Sequence, residues 1–204
     1  NENPRSDDNR SVNRTFLNAG TTGFVDARLG MRSDIGGLCA QAADQDDDGW
    51  DDLLVCGGAG PATVGWNPAQ NQLHLFRNVR GPDGGRRLVD VAPRLGIALD
   101  GVQGARLAHL DGDGRIDLVV IKRHSVSIWP GTPTGGFGLP VFREDLQAGH
   151  SVAIADLDGH RGLDVFVVQA CGGPRGVNVD DRLYLDAGPG WGWDRARLPT
   201  GVAG

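Results

Sequence analysis

The chain has 204 residues, of which 39% are hydrophobic and 23% are charged, a balance typical of a folded globular protein. Its net charge of −6 disfavours nucleic acid and anionic membranes as partners. No apolar stretch approaches the length of a membrane span. Glycine is over-represented at 33 residues and is joined by 11 prolines, so the sequence predicts short strands connected by many tight turns.

The segment of residues 1–14 is almost wholly polar and is predicted to form a leader or linker. Two N-x-S/T sequons begin at Asn9 and Asn13, and they are glycosylation acceptors only in a host that performs this modification. Residues 15–35 follow. Their two short apolar stretches, separated by a Thr- and Gly-rich turn, predict half of a repeating unit, with only its third and fourth strands.

Three acidic stretches then share one pattern, at residues 44–52, 109–117 and 156–164. The first is a complete D-x-D-x-D-G-x-x-D loop that is followed by an apolar run. Each stretch lies between a short predicted strand and an apolar predicted strand, and an alternating third strand and a weaker fourth strand come next. The repeat divides the chain into units at residues 36–99, 100–148 and 149–204.

The repeating unit also predicts the fold class. No stretch of the chain shows an apolar period of 3.6 residues, so little helix is expected. Four-stranded units repeated at intervals of this size are typical of the blades of a β-propeller. We therefore predict an all-β fold with about three and a half four-stranded blades.

The residues around the first acidic loop resemble the FG-GAP/VCBS repeat family, which includes the blades of integrin-α-like propellers. The resemblance rests on the segment Ala-Asp-Gln-Asp-Asp-Asp-Gly-Trp-Asp-Asp-Leu-Leu-Val at residues 43–55. It also rests on residues 72–78 and 88–91, which look like the family's third and fourth strands. It extends from about Thr15 to Pro199. The family implies seven blades in a ring, so three arrangements are open for this chain: a fragment, a ring completed by another chain, or a partial arc capped by a partner.

The first acidic loop predicts a metal site. Carboxylates at its first, third, fifth and ninth positions, with a glycine at the sixth, suit a hard oxygen-seeking cation and above all Ca²⁺. An EF-hand loop is excluded, because its twelfth position would be Val55 and not a carboxylate. The alternative is an acidic surface turn without metal, but four carboxylates so close in sequence repel one another unless a cation neutralises them. The predicted ligands are the side chains of Asp44, Asp46, Asp48 and Asp52 and the carbonyl of Trp50.

The second and third loops depart from this pattern. His109 replaces the first carboxylate of the second loop, and because a neutral imidazole is a poor ligand for Ca²⁺, weaker binding is expected. In the third loop His160 replaces a carboxylate and Arg161 replaces the turn glycine, so no Ca²⁺ is expected there. We predict one or two structural calcium ions per chain. The second set of ligands is Asp111, Asp113, Arg115 and Asp117, and the weak third set is Asp156, Asp158 and Asp164.

The cysteines allow one disulfide. Cys39 and Cys56 lie on the two predicted strands that flank the first acidic loop, nearly opposite each other, and they are either a disulfide or a pair of buried thiols. Cys171 is then unpaired. No CxxC pair is present, so a thiolate zinc site has no support.

The remaining signals favour binding over catalysis. No nucleophile elbow, zinc-protease motif or phosphate-binding glycine loop is present, so we predict a protein that is not an enzyme. A long insertion at residues 57–71 marks a candidate binding surface, with Trp66 as its leading contact, and Trp191 and Trp193 are further candidates. We predict a calcium-stabilised module for protein–protein assembly or adhesion, at an extracellular, cell-surface or periplasmic location where weak calcium sites fill. The alternatives are a glycan-binding module and a lyase or hydrolase on a propeller scaffold.

Overall fold

The computed structural model describes residues 14–27, 29, 37–57, 72–160, 162–170, 179–186 and 193–196. Nearly all of its regular structure is β-strand, with one 3₁₀ turn at Gly20–Thr22. No helix in these ranges is long and apolar enough to cross a membrane. The strands are β1 (Thr15–Asn18), β2 (Phe24–Ala27), β3 (Cys39–Ala43), β4 (Asp52–Cys56), β5 (Leu73–Arg80), β6 (Arg86–Asp90), β7 (Val102–Ala108), β8 (Asp117–Lys122), β9 (Ser125–Trp129), β10 (Phe142–Asp145), β11 (Gly149–Ala155), β12 (Asp164–Gln169), β13 (Arg182–Asp186) and β14 (Trp193–Ala196).

These strands form three four-stranded antiparallel sheets and one two-stranded sheet. Blade 1 contains β3 to β6, blade 2 contains β7 to β10, and blade 3 contains β11 to β14, each with sequential strands paired side by side. The strands β1 and β2 form a separate hairpin. The prediction of an all-β fold with about three and a half propeller-type blades is confirmed, and within the described residues the sheets do not close into a ring.

The second strand of blade 2 shows how the blades stack. Leu118 and Val120 on β8 pack into a buried cluster shared with blade 1. Val119 and Ile121 point to the opposite face and pack into a second buried cluster shared with blade 3. Because alternate side chains of a strand point to opposite faces, a strand between two sheets is apolar at every position. We call the face toward the following blade the forward face and the opposite face the rear face.

The innermost strands of blades 1 and 2 are joined by a side chain. The amide of Gln41 on β3 donates from Nε2 to the carbonyl of Leu107 on β7 at 2.9 Å, and its Oε1 accepts from the N–H of the same residue at 2.8 Å. Further along, Gly104 on β7 lies so close to β11 that an added Cβ would be 3.2 Å from the Cα of Ser151. Both contacts fix the spacing of neighbouring blades at their inner edge.

The hairpin of β1 and β2 has the register of the two outer strands of blade 1. Phe16 pairs with Asp26 as Phe76 pairs with Asp90, and Asn18 pairs with Phe24 as Asn78 pairs with Leu88. The hairpin thus has the same strand register as the outer half of blade 1. Its chain continues to Leu29, which packs beside Phe76 and accepts a 2.7 Å hydrogen bond from the N–H of Leu88 at its carbonyl.

Cys39 and Cys56 are directly opposite each other on β3 and β4, and the structure joins them in a disulfide. The bond closes the hairpin that carries the first acidic loop. Cys171 lies outside the described residues.

Candidate metal centre

The three acidic loops each connect the first two strands of a blade and share one backbone course. The fourth loop position has a positive φ in every loop, with 60° at Asp47, 76° at Gly112 and 79° at Gly159. The sixth position is Gly49 in the first loop and Gly114 in the second, with φ of 86° and 83°. Positive φ favours glycine, which explains the predicted turn residue, and aspartate is among the other residues that tolerate it.

The last aspartate of each loop braces its base from inside the protein. Asp117 is fully buried, and its two carboxylate oxygens accept 2.8 Å hydrogen bonds from the N–H groups of Leu110 and Gly131. Asp52 does the same with the N–H groups of Gln45 at 3.3 Å and Asn78 at 2.9 Å. Each aspartate thus links the start of its loop to a later part of the same blade, which holds the loop in shape.

Burial is the largest influence on the pKa values of these two aspartates. It raises the pKa of Asp117, although the hydrogen bonds from Gly131 and Leu110 act in the opposite direction. Burial likewise raises the pKa of Asp52, against the hydrogen bond from Asn78. A nearby cation would favour the charged form of both groups.

The first loop brings three carboxylates together. Asp44, Asp46 and Asp48 each offer an oxygen, and these oxygens all lie within 4.8 Å of one another. Asp44 also accepts the N–H groups of Asp48 at 3.0 Å and Gly49 at 2.8 Å, which curls the loop around this group. Asp52 lies at the base of the loop and is not one of the three.

Among the residues that the structure describes, none provides a partner for one oxygen of the first loop. Asp46 Oδ1 is inaccessible to solvent and accepts no hydrogen bond, whereas Oδ2 of the same carboxylate lies 3.1 Å from Nε of Arg77 on β5. A buried carboxylate oxygen without a partner is costly. A cation at this loop would remove that cost.

Calcium fits this donor set. The ion takes six to eight oxygen ligands at about 2.3–2.6 Å, so ligands on opposite sides of one ion are roughly 5 Å apart. Oxygens within 4.8 Å of one another are therefore within reach of a single Ca²⁺. When bound, the ion would supply the positive charge that the three carboxylates and the unpartnered oxygen of Asp46 lack.

The second loop contains its own counter-charge. The guanidinium of Arg115 forms an ion pair with Asp113 and donates from Nε to the carbonyl of Gly131 at 3.2 Å. The carbonyl of Arg115, a predicted ligand, accepts a 3.0 Å hydrogen bond from Nδ1 of His109. Although all its residues are described, this loop does not bring three metal-ligating side chains within the distance found in the first.

The third loop gathers its carboxylates more closely than its sequence suggests. Asp156, Asp158 and Asp164 offer oxygens within 4.8 Å of one another. Nδ1 of His160 lies 2.9 Å from Asp158, and this contact lowers the pKa of the carboxyl and raises that of the imidazole. Histidine therefore provides a charge in this loop that depends on pH. Arg161 lies outside the described residues.

A cleft of about 520 Å³ separates the first and second loops. Its third wall is the connection between β9 and β10, where the carbonyl of Gly135 accepts hydrogen bonds from Arg77 and from the amide of Gln45. An added Cβ at Gly135 would be 2.9 Å from the guanidinium of Arg77, so only glycine fits there without displacement. Blade 2 therefore supports the first acidic loop, which belongs to blade 1, directly.

The predicted aromatic contacts are only partly described. Trp50 is 50% exposed, and the guanidinium of Arg86 stacks on its ring at 3.2 Å from the centroid. Trp66 and Trp191 lie outside the described residues, and Trp193 is described only as the first residue of β14. Their predicted binding roles stay predictions.

Sequence reasoning missed three residues that support the first loop, namely Gln45, Arg77 and Asn78. Gln45 is buried beneath the loop, and Arg77 and Asn78 reach it from the third strand of the same blade. The only available signal was the Phe-Arg-Asn sequence at residues 76–78, which parallels Phe-Leu-Asn at residues 16–18. This pattern shows that the position is repeated, but it does not show that Arg77 and Asn78 contact the acidic loop.

The sheets and loops define an all-β repeat protein with blades of the β-propeller type. The profile of the FG-GAP-like repeat matches residues 109–167, so the chain carries an FG-GAP-like repeat and the predicted resemblance is confirmed there. This match covers less than a third of the chain and runs from the second acidic loop into β12, leaving the first loop outside. No curated protein matches the chain.

Proposed function

We propose that this chain is a non-enzymatic module of β-propeller type that binds one structural Ca²⁺ in its first acidic loop and acts in protein–protein assembly outside the cytoplasm. The observation that carries the metal assignment is the buried, unpartnered Oδ1 of Asp46 within a group of three carboxylates. FG-GAP repeats are generally calcium-binding, which supports the choice of metal.

Two observations support a location outside the cytoplasm. Disulfides persist in oxidising compartments, and Cys39 and Cys56 are bonded. FG-GAP repeat proteins are typically extracellular or on the cell surface. Calcium in these compartments is abundant enough to fill a site of millimolar affinity.

The assembly role follows from surface chemistry. Phe16 and Phe24 on the hairpin are 52% and 72% exposed, and Leu17 and Val25 on its other face are both 46% exposed. Large apolar side chains exposed on both faces of one hairpin form a surface suited to a protein partner. The glycan-binding alternative depends on Trp66, Trp191 and Trp193. The enzyme alternative requires acids or histidines that converge at the long insertion, which lies outside the described residues.

Calorimetric titration of the full chain with Ca²⁺ tests the metal assignment. We expect one site in the wild type and its loss in Asp46→Asn, since the amide removes the charge of the unpartnered carboxylate. Asp47→Asn is the matched control: Asp47 is exposed in the same loop, and asparagine tolerates its φ of 60°. Equal heats for Asp46→Asn and the wild type would refute the site.

A further inference from the structure

We infer that this chain assembles head to tail, with the hairpin of one copy covering the forward face of blade 3 in another. The inference names the partner in the assembly role proposed above. It rests on a comparison of the two ends of the blade series with the two interfaces between blades inside the chain.

Each internal interface joins a forward face to a rear face. In the first, Leu54 and Leu75 from the forward face of blade 1 meet Leu118 and Val120 from the rear face of blade 2. In the second, Val119 and Ile128 from the forward face of blade 2 meet the rear face of blade 3, including Tyr184. Both interfaces therefore pair the forward face of one blade with the rear face of the next.

The forward face of blade 3 has the same character. Its side chains are those that alternate with Val165, Val167 and Tyr184, which pack toward blade 2. Phe166 pairs with Leu183 on this face, as Val119 pairs with Ile128 on the buried forward face of blade 2. The side chains of this forward face are apolar and only partly buried. The half-buried ones are Phe166, Val168, Leu183 and Leu185. The exposed ones are Ala153 and Ala155.

The hairpin presents the complementary rear face. By strand register, Phe16 of the hairpin corresponds to Phe76 of blade 1, and Phe24 corresponds to Leu88. The side chains of Phe76 and Leu88 are buried on the rear face of blade 1. In the hairpin the same positions are more than half exposed. The hairpin thus exposes a rear face, and blade 3 exposes a forward face. A rear face and a forward face are the two sides of the interface between blades 1 and 2 and of the interface between blades 2 and 3.

A second copy carries the matching face for each end of this blade series. The contact is heterologous, since a different surface of each copy takes part, and such contacts generate rings or open chains of subunits. The hairpin has a further reason to dock. A two-stranded hairpin is only marginally stable by itself, so it gains order from a sheet beneath it.

Sedimentation velocity on the full chain tests this arrangement through one variant at each end. Wild type is expected to form dimers or larger species whose proportion rises with concentration. Phe24→Glu on the hairpin and Leu183→Glu on blade 3 should each weaken self-association at least tenfold, because each places a charge in an apolar contact. Leu139→Glu is the matched control, since Leu139 is 84% exposed and belongs to the β9–β10 connection, outside the strands of the proposed contact.

Mixing the two variants gives the decisive result. The Phe24→Glu copy retains an intact blade 3 and the Leu183→Glu copy an intact hairpin, so an equal mixture should form a dimer that does not grow further. This outcome does not require the altered hairpin to remain folded. Circular dichroism checks the blade 3 variant, and Phe166→Glu replaces Leu183→Glu if that protein unfolds.

Three results would overturn the inference: a wild type that stays monomeric at all concentrations, end variants that assemble like wild type, or a mixture of monomers. Calcium calorimetry on the same samples separates this inference from the proposed function. A monomer that binds Ca²⁺ refutes head-to-tail assembly alone, whereas an assembly that binds no Ca²⁺ refutes the metal assignment alone.

Discussion

The first and second acidic loops have the same backbone course but neutralise their carboxylates differently. In the first, Arg77 on a separate strand forms an ion pair with Asp46 and contacts only one of its two carboxylate oxygens. In the second, Arg115 is part of the loop and pairs with Asp113 while also bonding the carbonyl of Gly131. A repeated acidic motif therefore specifies the loop conformation, whereas the position of the arginine decides which carboxylates are neutralised within the protein.

The buried aspartate at the end of each loop is common to both, and its removal should have the largest effect on the free energy of unfolding. Asp117→Ala leaves the N–H groups of Leu110 and Gly131 without acceptors in the interior, so we expect the free energy of unfolding to fall by about 3–4 kcal/mol. Urea unfolding in the presence of a chelator measures this loss without any contribution from calcium. Asp113→Ala, at an exposed position of the same loop, should cost about 1 kcal/mol or less, and equal losses would contradict the bracing role.

The disulfide distinguishes the two loops covalently, because it closes only the hairpin of the first. The paired replacement Cys39→Ser with Cys56→Ser should lower the free energy of unfolding by about 3 kcal/mol, since the bond spans 17 positions of the chain. It should also weaken calcium binding, because the ends of the loop are less constrained. Denaturant unfolding and calcium calorimetry measure the two effects. Cys171→Ser is the control, and a similar loss of calcium affinity there would argue against a local effect.

The loops also show what the sequence predicts and what it does not. Apolar runs between turn-rich segments predicted the strands of the blades, and β8 is apolar on both faces because it lies between two sheets. Strand β5 continues to Arg80, beyond the segment of residues 72–78 that predicted it, because backbone pairing with β6 does not require apolar side chains. Position within the motif predicted Asp52 as a ligand, but its bond to the N–H of Asn78 joins residues 26 apart in sequence, which no local pattern reveals.

Calcium should stabilise the protein through the first loop. At millimolar Ca²⁺ we expect the free energy of unfolding to rise by about 1 kcal/mol, as for a site of millimolar affinity. Thermal unfolding with and without the ion measures this difference. The rise should vanish in Asp46→Asn and persist in Asp47→Asn, and an equal rise in both variants would place the stabilising ion elsewhere.

The smallest expected effect is on the Ca²⁺ affinity of the second loop, when a substitution makes its charge more like that of the first loop. Arg115→Gln removes the counter-charge of Asp113, so the second loop should gain affinity for Ca²⁺ by roughly twofold, or about 0.5 kcal/mol, a modest figure because the arginine is partly exposed. Calorimetry at high Ca²⁺ detects such a second site. Arg123→Gln makes the same change of charge at an exposed position outside the loop, and a gain there of equal size would indicate only the change in net charge.

Native mass spectrometry with Ca²⁺ tests the contrast between the two loops most directly, because it counts ions on each chain. We expect one ion on the wild type, none on Asp46→Asn, and one on Asp111→Asn, which alters the equivalent position of the second loop. An ion retained by Asp46→Asn and lost by Asp111→Asn would contradict the account, and so would a wild type that binds none.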